Sequence, residues 1–97
     1  MPSCLLNFQV RQADGVSPAS LAYVRKFRVY NFLWWRFRWF ESSSRTDFYG
    51  RTVFYVEWGA RYYIDGTWVG TDARVRSNSI EFVVVSCPAS QHLEMPR

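Results

Sequence analysis

One histidine, two cysteines, one lysine and no apolar run of membrane-spanning length leave this 97-residue chain few of the parts from which enzymes and metal sites are built. The histidine, His92, lies in the polar C-terminal stretch, so any nucleophile–histidine pair would have to recruit that stretch. Cys4, Cys87 and His92 fall short of the four close-spaced ligands of a structural zinc site. No glycine-rich loop of the phosphate-cradling kind is present. Among the acids, Asp14, Glu41, Asp47, Asp65, Asp72 and Glu94 fall in expected loops, strand ends or the tail. Glu57 and Glu81 fall within expected strands, and no spacing brings two acids together as a carboxylate pair. No catalytic residue, metal ligand or cofactor is therefore expected, and the chain reads as a non-enzyme.

The scarcity of long apolar runs has a second consequence. The apolar stretch around Trp34 is broken by Arg36 and Arg38 well short of the ~20 residues a spanning helix needs, so no transmembrane segment is expected. The Met1–Leu5 start has neither the basic n-region nor the apolar run of a signal peptide. Nothing in the sequence assigns a compartment. Cys4 and Cys87 sit near opposite ends of the chain. They read either as one disulfide closing a loop of about 80 residues, worth roughly 3–5 kcal/mol in chain-entropy terms, or as two thiols. The lack of a secretion signal favours the thiols.

What the chain has in abundance is aromatic bulk and arginine: eight phenylalanines, six tyrosines, five tryptophans and eleven arginines. Aromatic and β-branched residues suit a pleated, half-buried surface, which leans the fold toward strands. The length suits one domain with one modest core. Residues Leu21–Phe40 (LAYVRKFRVYNFLWWRFRWF) hold nine of the aromatic and five of the twelve basic residues and no acid. The net charge of +4 is thus +5 in this stretch and −1 elsewhere.

Along the chain, Cys4–Val10 alternates with period two and predicts a half-buried strand. Gln12–Ser20 carries Asp-Gly and Ser-Pro and predicts a loop. Leu21–Tyr30 favours a strand, although Ser17-Pro18 could open a short helix over 18–28. Phe32–Glu41 and Phe48–Trp58 predict two strands joined by a polar loop over Ser42–Asp47. A hairpin about Ser44-Arg45 would set Trp35 opposite Phe54, Leu33 opposite Val56 and Phe37 opposite Thr52, gathering core-type residues on one face. Asp65-Gly66 predicts a two-residue hairpin turn within Arg61–Gly70. Ala73–Arg76 predicts a short edge strand, Ser77–Ser79 a turn and Ile80–Cys87 a central strand.

The expected fold is mainly β: a small antiparallel β-sandwich or barrel of about seven strands. The alternative is α+β, with a short helix near 18–28 packed on an antiparallel sheet. Residues 1–88 are expected to form one β-rich domain, and 89–97 a disordered tail. Leu33, Trp35, Phe37, Phe54, Val56, Phe82 and Val84 are the expected core.

In that hairpin register the face opposite the core gathers Phe32, Trp34, Arg36, Arg38, Phe40, Tyr49, Arg51 and Tyr55. It sets Arg38 against Arg51, an unfavourable opposition of like charges. Trp, Tyr and Arg are the residues enriched at protein contacts. The expectation is a non-enzymatic interaction or assembly module binding a protein partner or another copy of itself. Single-stranded nucleic acid, for which rings stack on bases and arginines meet phosphates, is the second expectation. Carbohydrate, which suits exposed Trp and Tyr platforms but needs few arginines, is the third.

Overall fold

The alternation over Cys4–Val10 yields β1 (Ser3–Arg11), in which Leu6, Phe8 and Val10 are buried on one face. Six further strands follow: β2 (Tyr23–Phe32), β3 (Trp35–Arg45), β4 (Arg51–Glu57), β5 (Arg61–Val69), β6 (Val75–Val83) and β7 (Ala89–Glu94). The computed structural model describes residues 3–97. Met1 and Pro2, where the expected domain and the leader reading begin, lie outside the described residues. No helix occurs among the described residues, so none is long and apolar enough to cross a membrane. The helix considered near 18–28 is replaced by a loop and β2, whose β-branched and aromatic residues favour a strand.

The strands form two sheets, β4-β1-β7 and β3-β2-β5-β6, antiparallel except where β7 runs parallel to β1. Their facing sides close a β-sandwich around Leu6, Phe8, Phe54, Val56, Tyr62 and Ile64. Phe54, Val56 and Val84 are buried as expected, and Phe82 is partly buried against the core.

Several expectations are corrected. β3 and β4 do not form a hairpin: β3 pairs with β2 and β4 with β1, in different sheets. The Ser42–Arg45 segment, expected as loop, stays in β3 opposite Tyr23–Lys26. The chain then crosses between sheets at buried Thr46, whose Oγ1 donates to the Ala19 carbonyl (3.0 Å) and accepts from the Ala22 N–H (2.8 Å). Gly50 completes the crossing with φ 73°, and a Cβ there would clash with the Val10 carbonyl oxygen.

Asp65-Gly66 is not a turn either. β5 runs straight through it, pairing Asp65 with Ser79 and Gly66 with Asn78, and the expected Ser77–Ser79 turn lies inside β6. Gly66 serves close packing: a Cβ would meet Met95 Cε at 3.0 Å and Leu93 Cδ2 at 3.2 Å. The β5–β6 turn sits at Gly70–Arg74, closed by the Gly70 N–H donating to the Arg74 carbonyl (3.0 Å). The Ile80–Cys87 run is an edge strand and its exit, not a central strand.

The expected disordered tail forms β7, which adds Ala89 and Leu93 to the core, and Met95 follows them inside. The polar residues that suggested disorder are the outward half of a strand. Cys4 and Cys87 are joined as a disulfide spanning 83 residues, tying β1 to the segment that leads into β7.

Candidate interaction surface

The eight residues expected as one partner face are all exposed, but they do not form one face. Phe32, Trp34, Arg36, Arg38 and Phe40 belong to the β2–β3 hairpin of the four-stranded sheet. Tyr49, Arg51 and Tyr55 belong to β4 and the loop before it, in the other sheet. The expected Arg38–Arg51 opposition is therefore absent. Arg38 lies 3.7 Å over the Tyr63 ring and Arg51 6.0 Å from the Tyr49 ring centre.

The hairpin itself is the feature of interest. Its turn is Leu33-Trp34, between the terminal pair Phe32 and Trp35. β2 is paired with β5 only over Tyr23–Arg28, so Val29–Phe32 and their partners on β3 extend beyond the rest of the sheet. On β4 the facing sheet stops at the same level. Ser3, the first described residue, lies opposite the end of β4 at Glu57, and Glu57 pairs with Arg28 at 2.9 Å. Past that ion pair, among the described residues, no strand of the facing sheet lies above the hairpin.

Register assigns the two faces of this overhang. Lys26 and Ser42 pair below a bulge at Glu41, and above it Phe27 pairs with Phe40 and Arg28 with Trp39. Side chains alternate, so Arg28, Tyr30 and Phe32 point toward the facing sheet, together with their partners Trp39, Phe37 and Trp35. Tyr30 and Phe37 stack at 5.3 Å with planes 23° apart. These positions continue the core side of the sheet, yet Trp35 is 65% exposed, Trp39 64% and Phe37 48%. Leu33, Trp35 and Phe37, expected as core, are thus corrected: Leu33 lies in the turn, and Trp35 and Phe37 point inward on a ribbon that runs four residue pairs past Arg28–Trp39, beyond the end of β4. Trp34 at the turn is the most exposed ring, at 84%.

The charges divide between the faces. On the inner side Lys26 is 5% exposed. Its Nζ lies 3.2 Å from Glu41, donates to the Tyr55 carbonyl and sits near the Tyr62 ring at 5.3 Å. Burial disfavours the charge of Arg28, but its hydrogen bond to Glu57 and that carboxylate's charge outweigh this and leave its pKa raised. Burial raises the Tyr62 hydroxyl, which accepts from the Glu57 N–H at 2.9 Å. On the outer side Arg36 and Arg61 both pair with Glu81, while Arg38 covers Tyr63.

Sequence reasoning missed Tyr30 and Trp39 as members of the exposed face, and Glu81 and Tyr63 as partners of its arginines. The unfavourable Arg38–Arg51 opposition was the signal that the assumed hairpin was wrong. Among the described residues no three His, Cys, Asp or Glu side chains gather in a group able to hold a metal ion. No family model matches the chain, and no curated protein matches it.

Proposed function

We propose that the chain is a non-enzymatic interaction or assembly module whose contact element is the overhanging β2–β3 hairpin. One observation carries this reading: Tyr30, Phe32, Trp35, Phe37 and Trp39 continue the core side of a sheet yet remain 38–66% exposed. Fully burying one such side chain is worth roughly 1.5–3 kcal/mol, so completing the burial of five half-exposed rings would favour association. Contiguous exposed patches of this kind mark contact sites.

The partner class favoured is a protein surface, for which aromatic rings rimmed by arginine are the usual anchors. Single-stranded nucleic acid would have to use the opposite face, where the cations lie. There Arg36 and Arg61 already pair with Glu81, and Arg38 occupies the Tyr63 ring that a base would stack on.

The reading is tested by denaturant unfolding of dilute protein carrying Trp35→Ser or Phe37→Ser. If the rings serve contacts with a partner, each substitution should change stability by no more than about 0.5 kcal/mol, the range of ordinary surface positions. A loss of about 3 kcal/mol or more, as for a buried aromatic, would mean that the face is core and the module reading fails.

A further inference from the structure

Resting on the hairpin as contact element, we infer that its partner is a second copy of this chain, with each overhang filling the layer that the other lacks. The exposed face is recessed. It lies below the end of the three-stranded sheet by the spacing of stacked sheets, about 10 Å. A broad flat surface cannot descend into a step of that height, whereas a two-stranded ribbon can. The overhang of a second copy is such a ribbon. Turned about a two-fold axis between the layers, it enters the step from the opposite direction while its own step receives the first hairpin.

The faces are compatible with their own image. Tyr30, Phe32, Trp35, Phe37 and Trp39 carry no charge, and the nearest inner cations, Lys26 and Arg28, are paired with Glu41 and Glu57. Arg36 and Arg38 project from the other side of the ribbon, so the two-fold contact opposes no like charges there. An acidic partner would find no free cation on this face. Such an isologous contact closes on itself as a dimer.

Length and area agree. From the Arg28–Trp39 pair the ribbon continues for Val29–Phe32 and their partners, roughly 13 Å at strand rise, so each tip reaches the other's step. There the Leu33-Trp34 turn of one copy meets the region of Trp58, which follows the end of β4 and is half exposed in one chain. Rings of this size cover 150–250 Å² when fully buried. Five half-exposed rings per copy, with the turn residues, supply on the order of 1,000 Å² in total, the lower bound of a specific interface. An association of about micromolar strength is the corresponding expectation.

The test is sedimentation velocity on the full chain from low to high micromolar concentration, with Phe37→Ser, Leu33→Asp and Arg38→Ser variants in parallel. The mass should rise from 11.5 kDa toward twice that value. Phe37→Ser at the centre and Leu33→Asp at the tip should each weaken dimerisation at least tenfold, and Arg38→Ser on the far face should leave it unchanged. A chain that stays at 11.5 kDa at every concentration overturns the dimer. If the ring variants still unfold like the parent at dilution, the contact-element reading survives that result. If they are destabilised at dilution, both fall. Binding of the monomer to phosphatidylcholine–phosphatidylserine vesicles, abolished by Leu33→Asp, would replace the second copy with a lipid surface. Dimerisation unaffected by Phe37→Ser and Leu33→Asp would place the contact elsewhere and overturn the inference.

Discussion

Lys26 and Asp72 show how single charges are settled in this small sandwich. Lys26, the chain's only lysine, would be costly between two sheets, and it is held there by Glu41, a backbone carbonyl and two rings. Nothing in the neighbouring sequence, VRKFR, distinguishes it from the arginines on either side. Asp72 lies in the β5–β6 turn. It accepts from Arg76 at 2.8 and 3.0 Å and from the Arg74 N–H at 3.1 Å, and Arg76 in turn lies over Trp68. The Arg76 hydrogen bond, followed by that of Arg74, holds the Asp72 pKa well below the usual carboxylate range. A depressed carboxylate contributes its stabilisation fully above the unfolded value of about 3.9, and this is lost as pH falls through the folded value. An NMR titration should therefore show Asp72 ionised after ordinary carboxylates have protonated, and Arg76→Gln should return it toward the ordinary range. Unchanged titration in that variant would assign the shift to the backbone instead.

At the scale of elements, sequence patterning found the strands of the β2–β3 hairpin but not the turn that joins them. That turn, Leu33-Trp34, contains no Gly, Asn, Asp or Pro, the residues by which turns are recognised. Leu33 nevertheless adopts φ 56°, a left-handed conformation that costs an L-residue roughly 1–2 kcal/mol. Leu33→Gly should relieve that strain. After the extra chain entropy of glycine, a net gain of about 0.5–1 kcal/mol is expected in urea unfolding of dilute protein. A net loss would show that the Leu33 side chain supports the turn within one chain. Conversely, Asp65-Gly66 has the composition of a hairpin turn yet lies inside β5, where a Cβ at Gly66 would crowd Met95 and Leu93. Local turn chemistry and tertiary packing compete for the same glycine, and packing prevails here. The β3–β4 connection was misread because strands adjacent in sequence often pair directly. Here buried Thr46 and the conformation of Gly50 carry the chain to the other sheet instead.

The whole molecule measures 44 × 28 × 20 Å, and its two sheets close over a core to which the end of the chain contributes. Leu93 and Met95 are buried beside Gly66, so Met95→Ala should cost about 2–5 kcal/mol in equilibrium unfolding. Little or no change would restore the view of that stretch as a dispensable tail. By itself the sequence determined the fold class, since period-two alternation and aromatic, β-branched composition are properties of each strand alone. It also determined the inward set of β1, the buried face of β4 at Phe54 and Val56, and the concentration of rings and arginines in Leu21–Phe40. Only tertiary structure decided which strands pair, that β7 completes the three-stranded sheet, and that Cys4 meets Cys87. It alone decided that Trp35, Phe37 and Trp39 stand in water. Alternation fixes the side of a strand on which a residue lies, but whether that side is covered depends on how far the facing sheet extends. On β4 the sheet ends at Glu57, distant in sequence from the hairpin that extends past it.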